Sequence, residues 1–216
     1  MKKQILFFII FLSLISCSEN KEIRYYDTGT IMSECPTHKG KKSGLCTTYT
    51  ELGKVSSLIS FYDDVEWGLA IQYFENENIK SISSWDYGIL ENQYISFFPD
   101  GSIEEKAYFK DGKFQGQRIN FFESGGIKIL RKYTNGMLDG ESTLFYPNYQ
   151  KKVSIFYEKN YKEGKALAFY ANGQIAEEAI FINDTLSGQI LFHDSAQSKV
   201  NQESNIILSS IVTIEK

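Results

Sequence analysis

Histidine is scarce in this chain, with His38 and His193 the only 2 in 216 residues and both lying toward the ends. No Ser/His/Asp or Cys/His set, and no histidine metal site, can be assembled without reaching across the molecule, which argues against an enzyme. No metal or cofactor is expected. An excess of positive charge is also missing: 23 basic residues stand against 27 acidic ones, a formal charge of -4. Removing Lys2 and Lys3 with an N-terminal leader leaves 21 against 27, or -6, which makes a poor partner for a phosphate backbone and sets nucleic acid aside. Proline is limited to 3 residues while aromatics reach 15%, a balance that suits twisted β-structure better than helix or disorder. The acidic pairs Asp63-Asp64, Glu104-Glu105 and Glu177-Glu178 alternate faces within or beside expected strands. They read as solvated edge charge rather than the carboxylate pair of a glycosidase.

What the chain does have is a period. Counting by 24 from Gly44 gives Gly44, Gly68, Asn92, Gly116, Gly140, Gly164 and Gly188, and asparagine is the residue that next best tolerates a left-handed backbone. Five residues on stands an unbroken aromatic column, Tyr49, Tyr73, Phe97, Phe121, Phe145 and Phe169. A second glycine follows at Gly53, Gly101, Gly125 and Gly173, usually behind a turn former. Aliphatics recur at Val55, Ile79, Ile103, Ile127 and Ile175, and rings again at Phe61, Trp85, Phe109, Tyr133, Tyr157 and Phe181. Each unit reads as strand, turn, strand, turn. The expected fold is all-β: an elongated single sheet of antiparallel hairpin repeats in which each unit packs on its neighbours.

In chain order, residues 1–16 (MKKQILFFIIFLSLIS) have the charged start and short apolar run of an export signal, too short to span a bilayer. The run ends at Leu14-Ile15-Ser16-Cys17, which resembles a bacterial lipobox. Cys17 is therefore the expected lipidation site and new N-terminus, with 17–19 a short linker. Ser18 after the cysteine favours the outer membrane, on its periplasmic or surface side. Seven units then fill 20–187 (20–43, 44–67, 68–91, 92–115, 116–139, 140–163 and 164–187), and 188–216 holds a degenerate unit and a cap. In that cap Ile206-Ile207-Leu208 and Ile211-Val212-Thr213-Ile214 are expected to cover the sheet end.

Within unit 116–139, Ile119, Phe121, Ile127, Ile129 and Tyr133 share one parity, which predicts strands with one face more buried. The neighbouring rings Phe74, Phe98, Phe122, Tyr146 and Tyr170 would then point to the other face. With Tyr94 they are the candidate binding row, spaced about 9 to 10 Å per unit at two strand spacings. The competing reading is that these rings only cover a sheet that has no partner layer.

The pattern F-[FY]-x-x-G-x-I-x-x-x-x-x-[FY]-x-x-G-x-x-x-G, cleanest over Phe97–Gly116 and Phe121–Gly140, resembles the MORN-repeat variant of bacterial secreted and lipid-anchored proteins, often labelled antitoxins of the YwqK family. It covers residues 20–192. The resemblance implies an elongated, twisted antiparallel sheet. The chain departs from the standard MORN unit, which carries a Tyr-x-Gly-x-Trp core, and unit 140–163 has Pro147, Asn148, Tyr149 and Lys151 at turn and aliphatic positions. Two functions follow: a non-enzymatic lipid-anchored scaffold binding a protein or envelope polymer, or an inhibitor of a cognate toxin.

Two further cysteines lie on adjacent expected strands. A turn centred on Gly40-Lys41 would pair i with 81 minus i and set Cys35 opposite Cys46. Facing residues at a non-hydrogen-bonded pair are close enough for a disulfide, and export favours oxidation. A metal pair or two free thiols are the alternatives.

Overall fold

The computed structural model describes residues 20–193. The leader 1–16, Cys17 with its linker, and the expected cap within 194–216 lie outside the described residues.

Among the described residues the chain forms 19 strands and no helix, in one antiparallel sheet where each long strand pairs with the long strands before and after it and the two-residue strands pair back onto the long strand they follow. Unit 116–139 shows how the sequence produces this. Gly116–Phe121 is a first strand, after which the chain reverses over Phe122–Gly126. There the Phe122 N–H donates to the Gly126 carbonyl and the Gly125 N–H to the Phe122 carbonyl, both at 2.8 Å. Gly125 sits at φ 87°, the left-handed residue this loop needs. Ile127–Thr134 runs back. The next reversal takes two residues, Asn135 at φ 51° and Gly136 at φ 81°. Paired positive φ values give a turn whose twist matches that of the strands. The pair recurs at Lys39-Gly40, Asp63-Asp64, Tyr87-Gly88, Asp111-Gly112, Lys159-Asn160 and Asn183-Asp184.

Between units the register shifts. Tyr133 faces Leu138, but Leu130 faces Thr143, so two residues of the incoming strand lack partners. Gly140, at φ 121°, lies in this bulge, and a Cβ there would stand 2.9 Å from the Lys132 side chain. The opening-glycine column thus marks a bulge, while tight turns occupy the columns just before it.

Two register expectations need correction. The turn before the second unit is centred on Lys39-Gly40, since Thr37 pairs with Lys42 and His38 with Lys41. The bulge then restores the sum of 81 farther out, at Glu34 with Thr47 and Ser33 with Thr48. Cys35 and Cys46 face each other across these strands with Cα atoms 4.2 Å apart and sulfurs joined. The second correction concerns parity. A one-residue bulge at Asn120/Phe121 separates the two strands' alternation. Antiparallel partners share a face, so Arg118, Asn120, Ile129, Arg131 and Tyr133 lie on one side and Gln117, Ile119, Leu130 and Lys132 on the other. A plain period-two count across the loop therefore put Ile119 on the wrong side from Ile129 and Tyr133.

Burial concentrates on the side that carries Tyr133. In the earlier units its floor is small: Cys46, Ser57, Ala70, Ser81, Ser83, Ser96 and Ala107 are buried. Side chains this size are covered by neighbours along and across the strands, with no second layer. Rings stack beside them, Tyr94 on Phe109 at 6.2 Å, Phe109 on Phe114 at 4.5 Å and Phe114 on Tyr133 at 5.0 Å. Farther on the floor turns apolar and fills, in a cluster of Val153, Ile155, Ala166, Ala168, Ala179 and Phe181. The covered side is therefore open and polar-floored early, closed and greasy late.

Candidate functional site

The open part of that side holds a cavity of about 370 Å³. Its walls include Phe74, Tyr94 and Phe98, three of the six rings singled out from sequence, with Gln72, Lys80, Ser81, Ser96, Glu104 and Glu105. Phe74 and Phe98 stand at the mouths of successive loops, where their N–H groups donate to the Asn78 and Ser102 carbonyls at 2.9 and 2.8 Å. The 24-residue period brings them side by side. Tyr94 comes instead from the middle of the strand Ile89–Phe97, opposite Ala107. The small Ala107 leaves room beside it, and Tyr94 packs edge-on against Phe109. Burial and the nearby Glu105 carboxylate both raise the Tyr94 pKa, so its hydroxyl is a neutral donor.

The polar groups are held in place. Ser96 donates to Glu104 at 3.1 Å and Ser81 to Gln72 at 3.3 Å. Glu105 accepts two bonds from Arg118, each 2.9 Å, and a third from Asn120 at 2.8 Å. The Arg118 guanidinium in turn lies 4.7 Å from the Phe114 ring centre. Its pKa is raised, chiefly by the hydrogen bond to Glu105. This pair is a wall of the cavity rather than a free acid, because each oxygen of Glu105 is already an acceptor.

The other three rings do not join the cavity. Phe122 and Tyr146 each lie under a lysine of their own unit, Lys128 at 6.0 Å and Lys152 at 5.4 Å. The Tyr146 hydroxyl donates to the Phe169 carbonyl at 2.9 Å, and the Tyr170 hydroxyl to the His193 carbonyl at 3.1 Å. These tyrosines link one unit to the next. The expected second-side row also changes place: the alternation that puts Phe122 with Arg118 and Asn120 sets the loop-mouth rings on the same side as Tyr133, not opposite it.

Sequence reasoning missed Gln72 and read Glu104, Glu105 and Glu177 as solvated edge charge; Glu104 is exposed, but Glu105 is largely covered and paired with Arg118, and Glu177 is buried. Glu177 is 1% exposed, faces Ala168 and Phe192, and neither carboxylate oxygen has a partner among the described residues. Loss of solvation raises its pKa. The signal for Glu104 was its place in a column that holds Lys80, Lys128 and Lys152; the columns of the others hold mixed residue types, Glu177 standing one unit after Val153.

Two stretches of the chain, residues 90–111 and 162–183, match the MORN repeat variant family, which supports a MORN-repeat protein. Each match spans a unit's first strand, the loop after it and the return strand. No curated protein matches the chain. Among solved structures it is similar to a porin-like protein from Bacteroides uniformis ATCC 8492, at 10% identity over 79% of this chain and 92% of that one. The TM-score of that pair is 0.20, and the likeness carries no argument here.

Proposed function

We propose that this protein is a non-enzymatic repeat scaffold that binds an extended partner, a protein or an envelope polymer, along the loop-mouth rings of its covered side. The observation that carries the reading is the cavity where Phe74, Tyr94 and Phe98 meet polar groups already fixed by their own hydrogen bonds. Apolar surface with a few convergent polar groups is the usual make-up of a binding site. The two family matches support the same class of function, since repeat arrays present extended surfaces. In this proposal the array is exported and held at the cell envelope, in the outer membrane, through a lipid on Cys17.

The test replaces Phe98 and Phe122 together by serine and measures capture of partners from solubilised membranes. Capture should be lost with the β circular-dichroism signal intact. Unchanged capture would overturn the reading, and loss of the β signal would show that the two rings serve only to cover the sheet.

A further inference from the structure

The repeat allows each unit to serve as a reference for the others, and one position breaks ranks inside the cavity. Six residues after a loop-mouth ring, the chain supplies a lysine that folds back over it. Lys80 lies 5.9 Å from the Phe74 ring centre, Lys128 6.0 Å from Phe122 and Lys152 5.4 Å from Tyr146. A cation over an aromatic face within about 6 Å is attracted by the ring quadrupole. Three units thus satisfy the ring face with a cation from their own strand.

At Phe98 the corresponding residue is Glu104. Among the described residues no cation lies over Phe98. The exchange does more than empty the place, because it puts a carboxylate beside the uncovered ring. Glu104 is fixed by the Ser96 hydroxyl through one oxygen, which leaves the other free to accept. Tyr94 adds a second ring and a neutral hydroxyl. Lys80 shares the cavity but is held over Phe74, one unit away, and among the described residues it forms no ion pair with Glu104. The remaining acid, Glu105, is neutralised by Arg118.

We infer that the cavity at Phe98 binds a ligand alkylammonium group, which takes the position that lysine takes in three sister units, with Glu104 as its counter-ion and Phe98 and Tyr94 as its aromatic walls. The ring geometry is that of the internal lysines, and the charge is complementary. Two sources share this chemistry, a lysine side chain of a partner protein and a choline-type headgroup. The inference rests on reading this rim as a binding surface.

The test is a titration of the purified protein, selectively labelled in its phenylalanine and tyrosine rings, with Nα-acetyl-lysine methylamide or choline chloride, followed by NMR. At least one probe should shift Phe98 and Tyr94 signals saturably, and the better of the two identifies the source. The effect should weaken with salt, as an interaction between partly exposed charges must. Nε-acetylation of the lysine probe should abolish it. Glu104→Lys should eliminate binding by filling the place from within. Glu104→Gln, which keeps size and hydrogen bonding, should weaken it by about 1.5-fold to fivefold, as loss of one exposed charge partner implies. Glu158→Lys, the same charge change at the exposed end of the strand Lys151–Glu158, should leave binding as it was. Equal binding of the acetylated probe, or undiminished binding by Glu104→Lys, would overturn the inference, as would no binding of either cation. If that occurs while the Phe98/Phe122 double variant still loses partner capture, the scaffold reading stands and only the ammonium assignment falls.

Discussion

Replacing Glu177 by valine should make the protein more stable, which few substitutions of a fully buried residue do. The side chain is 1% exposed and neither oxygen has a partner among the described residues, so the folded state bears a desolvation cost of about 1 to 3 kcal/mol. Valine is the right replacement because Val153 fills the same column one unit earlier, buried in the apolar cluster. Burying its side chain contributes about 1.5 kcal/mol or more. Valine is smaller than glutamate, and the space left behind takes back about 1 kcal/mol. The net gain is about 2 kcal/mol, or about 4 to 8 °C in melting temperature for a chain of this size. The pH dependence supplies a sharper check. Burial raises the Glu177 pKa, so its contribution is fully present below the ordinary carboxylate range and is lost as pH rises through the raised value. The advantage of Glu177→Val should therefore be small at pH 4 and largest at neutral pH. Because repeat arrays open locally, hydrogen exchange of the strand Ile175–Ile182 is the readout to pair with thermal melts. A variant less stable than wild type at neutral pH, or an advantage equal at both pH values, would refute the reasoning.

Two other predictions concern the first units. Cys17→Ser should move the protein from the membrane pellet to the soluble fraction or leave an uncleaved precursor, and unchanged mass and fractionation would remove lipidation at that position. Cys35 and Cys46 are separated by 11 in sequence, so the chain-entropy model gives the cross-link about 3 kcal/mol. Mass spectrometry of the unreduced protein should find both cysteines in one cross-linked peptide, and Cys46→Ala should lower protection of the strand Ile31–His38; free alkylation of both thiols without reductant would contradict it.

The fold was legible because the repeat multiplies weak signals. A single Gly125 behind Ser124 is only a turn hint, but four glycines and two ring columns at one spacing define strands, loops and their order together. The side each residue faces was less legible. Alternation holds within a strand, yet the bulge at Asn120/Phe121 inserts one residue and reverses the phase between strands. No residue type advertises that bulge, because Glu104, Lys128 and Lys152 can all occupy the extra position. The turn before the second unit was misplaced by one residue for a related reason. Lys39 adopts φ 51° as readily as Asn135 does in its own unit, and a lysine is not an obvious turn former.

The site was half visible for the same physical reason. Columns reveal what the repeat needs for folding, and Phe74 and Phe98 were found because they obey one. What departs from the repeat, in the cavity and beyond it, obeys none: Glu104 stands in a column with three lysines, Tyr94 and Arg118 stand where other units have Ala70 and Ala166, and Glu105 and Glu177 occupy a column that also holds Ser57 and Val153. Each exchange works against the sheet alone. A carboxylate forfeits a ring–cation contact, a large ring needs space cleared by Ala107, and an acid taken out of water either needs a partner, as Glu105 has in Arg118, or bears the cost of having none among the described residues, as Glu177 does. Sequence features that cost stability in one unit while its sisters avoid them are where function is to be sought in a repeat protein. On that argument, in the scaffold proposed above, the units from Gly68 to Asn120, which hold the cavity, would carry the specificity of the array, while the apolar cluster that begins at Leu144 would supply stability.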